Sequence, residues 1–227
     1  MRATFTAALL AGLLSGPALA QPSTGAPPAD GPMFAVAYVE VRADARSAAR
    51  AALAAYRDAA GAQHGSVELF EQVGRPGHFA VLERWRDQAA FGARSAAARE
   101  ALDAALAPLR VSGYDERPYK NLSTALDTAA AERRSVYVIA HVDVAPDPRV
   151  APMLARLAES ARKEPGNLRF DVVQHAMRAN HFTVVERWRT RAALDAHVAA
   201  EATRRYRDEL QPLTGSPLDE RIYEGVE

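Results

Sequence analysis

Apolar residues recur along this chain with two different periods, which predict alternating strands and helices. Residues 34–41, 67–73, 136–144 and 170–175 are short runs rich in β-branched and apolar side chains, so each is predicted to be a strand. The helix between the two later strands is predicted from apolar residues spaced three and four apart, at Val150, Met153, Leu154, Leu157 and Ala161. A Glu-Pro-Gly-Asn stretch at 164–167 ends that helix.

A third strand in each half carries Glu-Arg-Trp-Arg, at 83–86 and 186–189, and a second helix is predicted directly after it. Asp87 and Thr190 stand where N-cap residues are expected. A final strand ends at Tyr119 in one half and at Tyr223 in the other. The order in each half is β-α-β-β-α-β, a ferredoxin-like unit with its helices on one face of an antiparallel sheet. The apolar face of the second helix consists of Phe91, Ser95, Ala98, Leu102 and Leu106, matched by Leu194, Val198, Ala202, Tyr206 and Leu210.

The two halves are copies of one another. Residues 78–93 align with 181–196 at an offset of 103, and ten of these sixteen positions are identical. The shared block His-Phe-x-Val-x-Glu-Arg-Trp-Arg is too specific to arise by chance in Ala-rich sequence. We therefore predict two repeats, 33–119 and 135–226, joined by a linker at 120–134 that has room for a short helix.

Both faces of each predicted sheet carry apolar side chains. Along the third strand Phe79, Val81 and Trp85 point to one face and Leu82 to the other, and Val185 makes that second face apolar in the later repeat as well. The helices cover one face only. We therefore expect each repeat to cover the remaining face of the other, as a pseudo-two-fold sandwich or barrel within one chain.

The first twenty residues have the layout of a cleavable signal peptide. Arg2 precedes an uncharged apolar run at 5–14, and Ala18 and Ala20 are the small residues expected before cleavage at Gln21. The run is shorter than the roughly 20 residues that a membrane helix needs. We expect residues 21–32 to form a flexible tether, no membrane span, and a mature protein that is periplasmic or secreted.

Composition excludes several classes of function. The 227 residues include 28 basic and 28 acidic side chains, which argues against a general nucleic-acid binder. There is no cysteine, hence no thiol nucleophile and no thiolate metal site. The six histidines are scattered singly, and no Gly-rich phosphate loop is present. We therefore expect neither a metal nor a nucleotide cofactor.

Three features together resemble the antibiotic biosynthesis monooxygenase domain. They are the strand-borne Glu-x-Trp pairs, the Glu-Pro-Gly helix stop at 164–166, and His197 on the second helix. The resemblance covers roughly 33–120 and 135–226, and it is closer in the second repeat, because the first has Ala62 in place of the proline and Arg94 in place of the histidine. It implies an α+β fold in which two ferredoxin-like βαββαβ repeats pack as an intramolecular pseudo-dimeric α+β barrel.

The resemblance also implies a reaction. Several members oxidise anthrones or quinols with molecular oxygen and no metal or flavin, whereas others degrade heme. Anthrone-oxidising members carry an Asn where this chain has Val81 and Val184, and heme-degrading members place the helix histidine ten residues after the Trp, whereas His197 follows Trp188 by nine. Neither reaction therefore transfers directly to this sequence.

The candidate site residues each have a structural alternative. Trp188 and Trp85 are predicted to stack on an aromatic substrate, or to fill the core. Glu186 is a candidate base, or a carboxylate that pairs with an Arg or caps a turn. His197 is a candidate base or iron ligand, or a helix-surface histidine. His141 and Tyr38 occupy equivalent first-strand positions from which they could hydrogen-bond a substrate oxygen, and Val184 and Leu194 complete the predicted substrate-binding set.

The favoured function is an exported, cofactor-independent monooxygenase-like protein. Its partners would be a small aromatic or quinol and molecular oxygen, with Trp188 holding the ring and His197 or His141 removing a phenolic proton in the second repeat. One alternative is a non-catalytic periplasmic binding module for a hydrophobic ligand such as heme. Another is a structural pseudo-dimer that binds a protein. Self-association beyond the pseudo-dimer is left open.

Overall fold

A computed structural model describes residues 31–61, 65–94, 96–125 and 135–226. The predicted signal peptide, residues 21–30 of the predicted tether, Ser95 and residues 126–134 of the predicted linker lie outside the described residues.

Among the described residues, each repeat contains four strands in the predicted order, with three helices where two were predicted. The first comprises β1 (Met33–Glu40), α1 (Arg46–Gly61), β2 (Gly65–Gln72), β3 (His78–Trp85), α2 (Gln88–Gly92), α3 (Ala96–Leu106) and β4 (Asp115–Ser123). The second comprises β5 (Val136–Asp143), α4 (Val150–Ala161), β6 (Asn167–His175), β7 (His181–Trp188), α5 (Arg191–Ala199), α6 (Glu201–Leu210) and β8 (Asp219–Gly225). Two 3-10 turns, at Ala43–Ala45 and Gln211–Leu213, complete the described elements.

The eight strands close into one antiparallel barrel in the order β1-β3-β2-β8-β5-β7-β6-β4. Each repeat contributes four adjacent strands, and the repeats join where β2 pairs with β8 and where β4 pairs with β6. The sequence predicted either a sandwich or a barrel. The strand pairing at these two junctions shows that the sheet closes into a barrel. Closure pairs the edge strands of both sheets and so leaves no exposed sheet edge.

Three apolar clusters follow from strand alternation. Inside the barrel, side chains of both repeats meet, including Leu82 and Val185, as the alternation predicted. Outside it, the opposite strand faces pack under the helices, with Leu53 of α1 in one cluster and Leu154 of α4 in the other. The outer cluster of the second repeat contains the candidate site.

The predicted N-caps are present. The Asp87 carboxylate accepts a hydrogen bond from the Ala90 amide at 2.7 Å, and the Thr190 hydroxyl accepts one from the Ala193 amide at 3.2 Å. Within the described parts of the chain, the helices are too short or too polar to cross a membrane.

The prediction of one continuous second helix in each repeat was wrong. In the second repeat Ala200 adopts an extended conformation (φ −63°, ψ 145°) and separates α5 from α6, although alanine favours helix. The break lets α6 pack against α4 while α5 follows β7. The predicted end of the last strand in the first repeat was also too early, because β4 continues to Ser123 through its pairing with β6 of the other repeat.

Candidate active site

A cavity of about 260 Å³ lies between the sheet and the helices of the second repeat. Ten of its eighteen lining residues are apolar, among them Val138, Phe170, Val184, Leu194 and Ile222. Polar groups reach it from Glu186, His197, Thr203 and Tyr206. At its exposed rim, Arg191 pairs with Asp195 and Arg207 with Glu220. A small cavity that combines apolar lining with converging polar groups is typical of a binding site for a small ring system.

The turn after α4 positions the first polar group. Gly166 has φ of +82°, and a Cβ at this position would lie 2.7 Å from the Cβ of Ala193 in the first half of α5. The Gly166 carbonyl also accepts a hydrogen bond from the Arg189 amide at 2.8 Å. Only glycine permits both the conformation and the approach. The turn is thereby held against α5, with Glu164 beside His197.

Glu164 and His197 form a carboxylate–imidazole pair. His197 is 4% exposed, and its Nδ1 lies 2.9 Å from Oε2 of Glu164. Burial lowers the pKa of His197, and the Glu164 carboxylate opposes that shift. The neutral imidazole therefore donates its Nδ1 proton to Glu164, which assigns the Nε2 lone pair as the proton acceptor. The Thr203 hydroxyl lies 3.5 Å from that Nε2.

Glu186 is the second titratable group of the cavity. Its Oε2 accepts a hydrogen bond from the Trp188 indole at 2.7 Å and lies 3.9 Å from Nε2 of His197. Burial raises the pKa of Glu186 to about 7, against the opposing effect of the Trp188 hydrogen bond. A carboxyl group with such a pKa exchanges protons near neutral pH. The site therefore contains a proton donor and a proton acceptor side by side.

Trp188 lies behind this pair. Its ring is fully buried and stacks on His197 with centroids 4.7 Å apart and an interplanar angle of 29°. Val184 and Leu194 line the cavity, whereas Trp188 stands outside the lining, and substrate binding by Val184 and Leu194 stays a prediction. The contacts of Trp188 position Glu186 and His197, and a direct role in holding a substrate ring stays a prediction.

The equivalent glutamate of the first repeat has different partners. Glu83 accepts hydrogen bonds from Tyr56 at 2.6 Å, from the Trp85 indole at 2.9 Å and from Arg94 at 3.3 Å. Arg94 stands where the second repeat has His197. Glu83 is thus held in an ion pair with Arg94, and the Trp85 indole donates a hydrogen bond to it. The groups suited to acid–base chemistry are assembled in the second repeat.

Tyr38 and His141 lie on the other side of the sheet. The Tyr38 hydroxyl is 2.7 Å from Nε2 of His141, and the Thr183 hydroxyl is 2.8 Å from its Nδ1. Since Ala140 and Val142 line the outer core, the intervening His141 points into the barrel. Burial lowers the pKa of His141 to about 4, so it is neutral. These two equivalent residues meet at the pseudo-two-fold axis, and the sheet separates them from His197.

Sequence reasoning missed three residues of the site. Glu164 was read only as part of a helix stop, Tyr206 only as one position of an apolar helix face, and Thr203 was not considered. The available signal was a tyrosine where the first repeat has Leu102. Among the described residues, no three His, Asp or Glu side chains converge as metal ligands would.

Solved structures with this architecture are similar over most of the chain. A candidate monooxygenase from Fusobacterium nucleatum is 15% identical with a TM-score of 0.76, over 87% of this chain and 93% of that chain. Another from Lactobacillus acidophilus is 14% identical with a TM-score of 0.68, over 87% and 95%. A protein described as anthrone oxidase-like is 11% identical with a TM-score of 0.65, over 87% and 92%. These likenesses concern the fold. No curated protein matches the chain.

The sequence profile described as antibiotic biosynthesis monooxygenase matches the chain twice. The matches cover residues 32–104 and 135–209, one in each repeat, and together they span more than half of the chain. Each match lies within one half of the barrel and ends before its last strand, and the second includes Glu164, Glu186, Trp188 and His197. The chain therefore belongs to the antibiotic biosynthesis monooxygenase family and carries its domain as a tandem repeat.

Proposed function

We propose that this protein is an exported, cofactor-independent oxygenase that oxidises a small phenol or quinol with molecular oxygen in the cavity of the second repeat. The observation that carries the proposal is the Glu164–His197 pair at a buried apolar cavity, with Glu186 3.9 Å from Nε2. This arrangement suits the removal of a phenolic proton away from water.

Proton removal prepares the substrate to reduce oxygen by itself. Nε2 of His197 accepts the phenolic proton, and the phenolate transfers one electron to oxygen. The resulting aryloxyl radical and superoxide combine at a ring carbon, and the imidazolium returns its proton to the peroxide. Loss of the ring C–H proton then breaks the O–O bond, which leaves a carbonyl on the ring and releases water. The substrate supplies all four electrons, so one oxygen atom enters the product and the other becomes water.

The chain contributes orientation and exclusion of water. Phe170, Val184 and Leu194 give the ring an apolar wall, and Glu164 fixes the tautomer of His197. A buried phenolate loses the solvation that would stabilise it in water, which favours electron transfer from it. Positioning the ring against the base converts an encounter into an intramolecular step.

Oxygen uptake with a panel of phenols, hydroquinones and anthrone tests the proposal. We expect uptake by the wild type with at least one substrate, and its loss in His197→Ala. With ¹⁸O₂, one labelled atom should appear in the product and one in water. Trp188→Phe should reduce the rate because this indole holds Glu186 and His197, whereas the matched Trp85→Phe variant should retain it if the fold is intact. Uptake no greater than that of buffer with every substrate would refute the proposal.

Two further measurements address export and the alternative function. Mature protein from the periplasmic fraction should begin at Gln21. An absorption band on titration with heme, together with no oxygen uptake, would instead support the non-catalytic binding module.

A further inference from the structure

Tyr206 lines the cavity of the second repeat, and its hydroxyl has no hydrogen-bond partner. The residue is 8% exposed, lies on α6, and lines the cavity with Glu186 and His197. Among the described residues its hydroxyl is one of three buried side-chain polar atoms with no hydrogen-bond partner, and the other two, on His78 and Asn121, lie away from this cavity. Buried polar groups are almost always hydrogen-bonded, so an unpaired hydroxyl on a side chain that lines a cavity points to a partner that occupies the cavity.

The hydroxyl is not required for packing. The first repeat has Leu102 at the equivalent position of its own helix α3, where it is also buried. A leucine therefore satisfies this part of the fold, and the tyrosine occurs only in the repeat that carries Glu164 and His197.

The hydroxyl is a donor rather than an acid. Burial raises the pKa of Tyr206, and Glu220 and Glu186 raise it further against the effect of Arg207. The group therefore stays protonated across the physiological range and suits an oxygen acceptor on a ligand.

We infer that Tyr206 binds a second oxygen of the substrate, so that the site selects an aromatic ring carrying two oxygen substituents. This inference rests on the proposed function for the first of these oxygens. That oxygen meets Nε2 of His197, which takes its proton, and the carboxyl of Glu186, which hydrogen-bonds to it. The Tyr206 hydroxyl donates to the other oxygen, a hydroxyl or carbonyl across the ring. The apolar wall between them accommodates the ring itself.

The test is binding without turnover, measured anaerobically by calorimetry or fluorescence. The probes are 1-naphthol, with one oxygen, and 1,4-dihydroxynaphthalene, with two. We expect the wild type to bind the two-oxygen probe about tenfold more tightly, the change expected for one well-formed hydrogen bond. Tyr206→Phe should abolish this preference while leaving the affinity for 1-naphthol within about twofold, because it deletes only the hydroxyl.

Controls separate the hydroxyl from packing and from the reaction. Tyr206→Leu restores the residue of the first repeat and should also lose the preference while remaining folded. Tyr114→Phe removes a tyrosine hydroxyl at a cavity of the first repeat and should retain the preference for the two-oxygen probe. Equal losses for both probes in Tyr206→Phe, or no preference in the wild type, would overturn the inference. The binding test is anaerobic and so does not depend on the reaction. If the wild type prefers the two-oxygen probe but consumes no oxygen in air, the proposed reaction is refuted and the inference about Tyr206 is not.

Discussion

The protonation of Glu186 makes the stability of this protein depend on pH in a way that one substitution removes. The carboxyl is 6% exposed, and its pKa is raised from the usual 4.5 to about 7. The folded protein therefore binds this proton more tightly than the unfolded chain does. The stabilisation is fully present below about pH 4.5 and is lost as the pH rises to about 7, because the ionised carboxylate is left in an apolar cavity.

The magnitude follows from the size of the shift. At about 1.4 kcal/mol per pH unit, the difference between about 7 and 4.5 lowers the free energy of unfolding by about 3 kcal/mol at pH 8. Glu186→Gln keeps an oxygen that can accept the Trp188 hydrogen bond but does not ionise. We therefore expect the variant to be about as stable as the wild type near pH 4.5, and more stable by about 3 kcal/mol at pH 8.

Urea unfolding followed by circular dichroism, at several values between pH 4.5 and 8.5, measures both profiles. Other titrating groups are common to the two proteins, so the difference between the profiles reports Glu186. Glu83→Gln is the matched control. It breaks a buried ion pair with Arg94, and it should destabilise the protein at neutral pH. Parallel profiles for the wild type and Glu186→Gln would refute the reasoning.

Other predictions concern His197, the turn at Gly166 and the Tyr38–His141 pair inside the barrel. Because burial lowers the pKa of His197, the imidazole stays unprotonated below its usual range, and the acidic limb of kcat/KM should lie below the usual histidine value of 6.5. A pH–rate profile with an acidic limb well above that value would contradict this assignment. Gly166→Ala should cost at least about 1 kcal/mol in thermal unfolding and reduce activity, since its φ is +82° and its Cβ would meet Ala193. Wild-type stability in that variant would show that the turn is not constrained. Tyr38→Phe leaves Nε2 of His141 without its partner inside the barrel and should cost about 1–3 kcal/mol in urea unfolding at unchanged oxygen uptake. A large loss of uptake would place this pair in the reaction after all.

Local pattern predicted the elements well where neighbouring residues alone decide them. Strand alternation placed Leu82 and Val185 on the face that the other repeat covers, and side-chain chemistry placed the N-caps at Asp87 and Thr190. The duplicated Glu-Arg-Trp block identified two copies of one domain. The break at Ala200 was missed, because alanine favours helix and only the packing of α6 on α4 overrides that preference.

The sequence by itself determined a tandem α+β repeat, its family and the repeat in which a helix histidine accompanies Glu186 and Trp188. Only the tertiary structure decided which of these groups meet. It joined Glu164 to His197 across 33 positions and separated His141 from both by a sheet. It also left the hydroxyl of Tyr206, a residue that lines the cavity, without a hydrogen-bond partner. The physical reason is that strand and helix periods depend on neighbours in the chain, whereas burial, hydrogen-bond partners and pKa depend on distances that closure of the barrel sets.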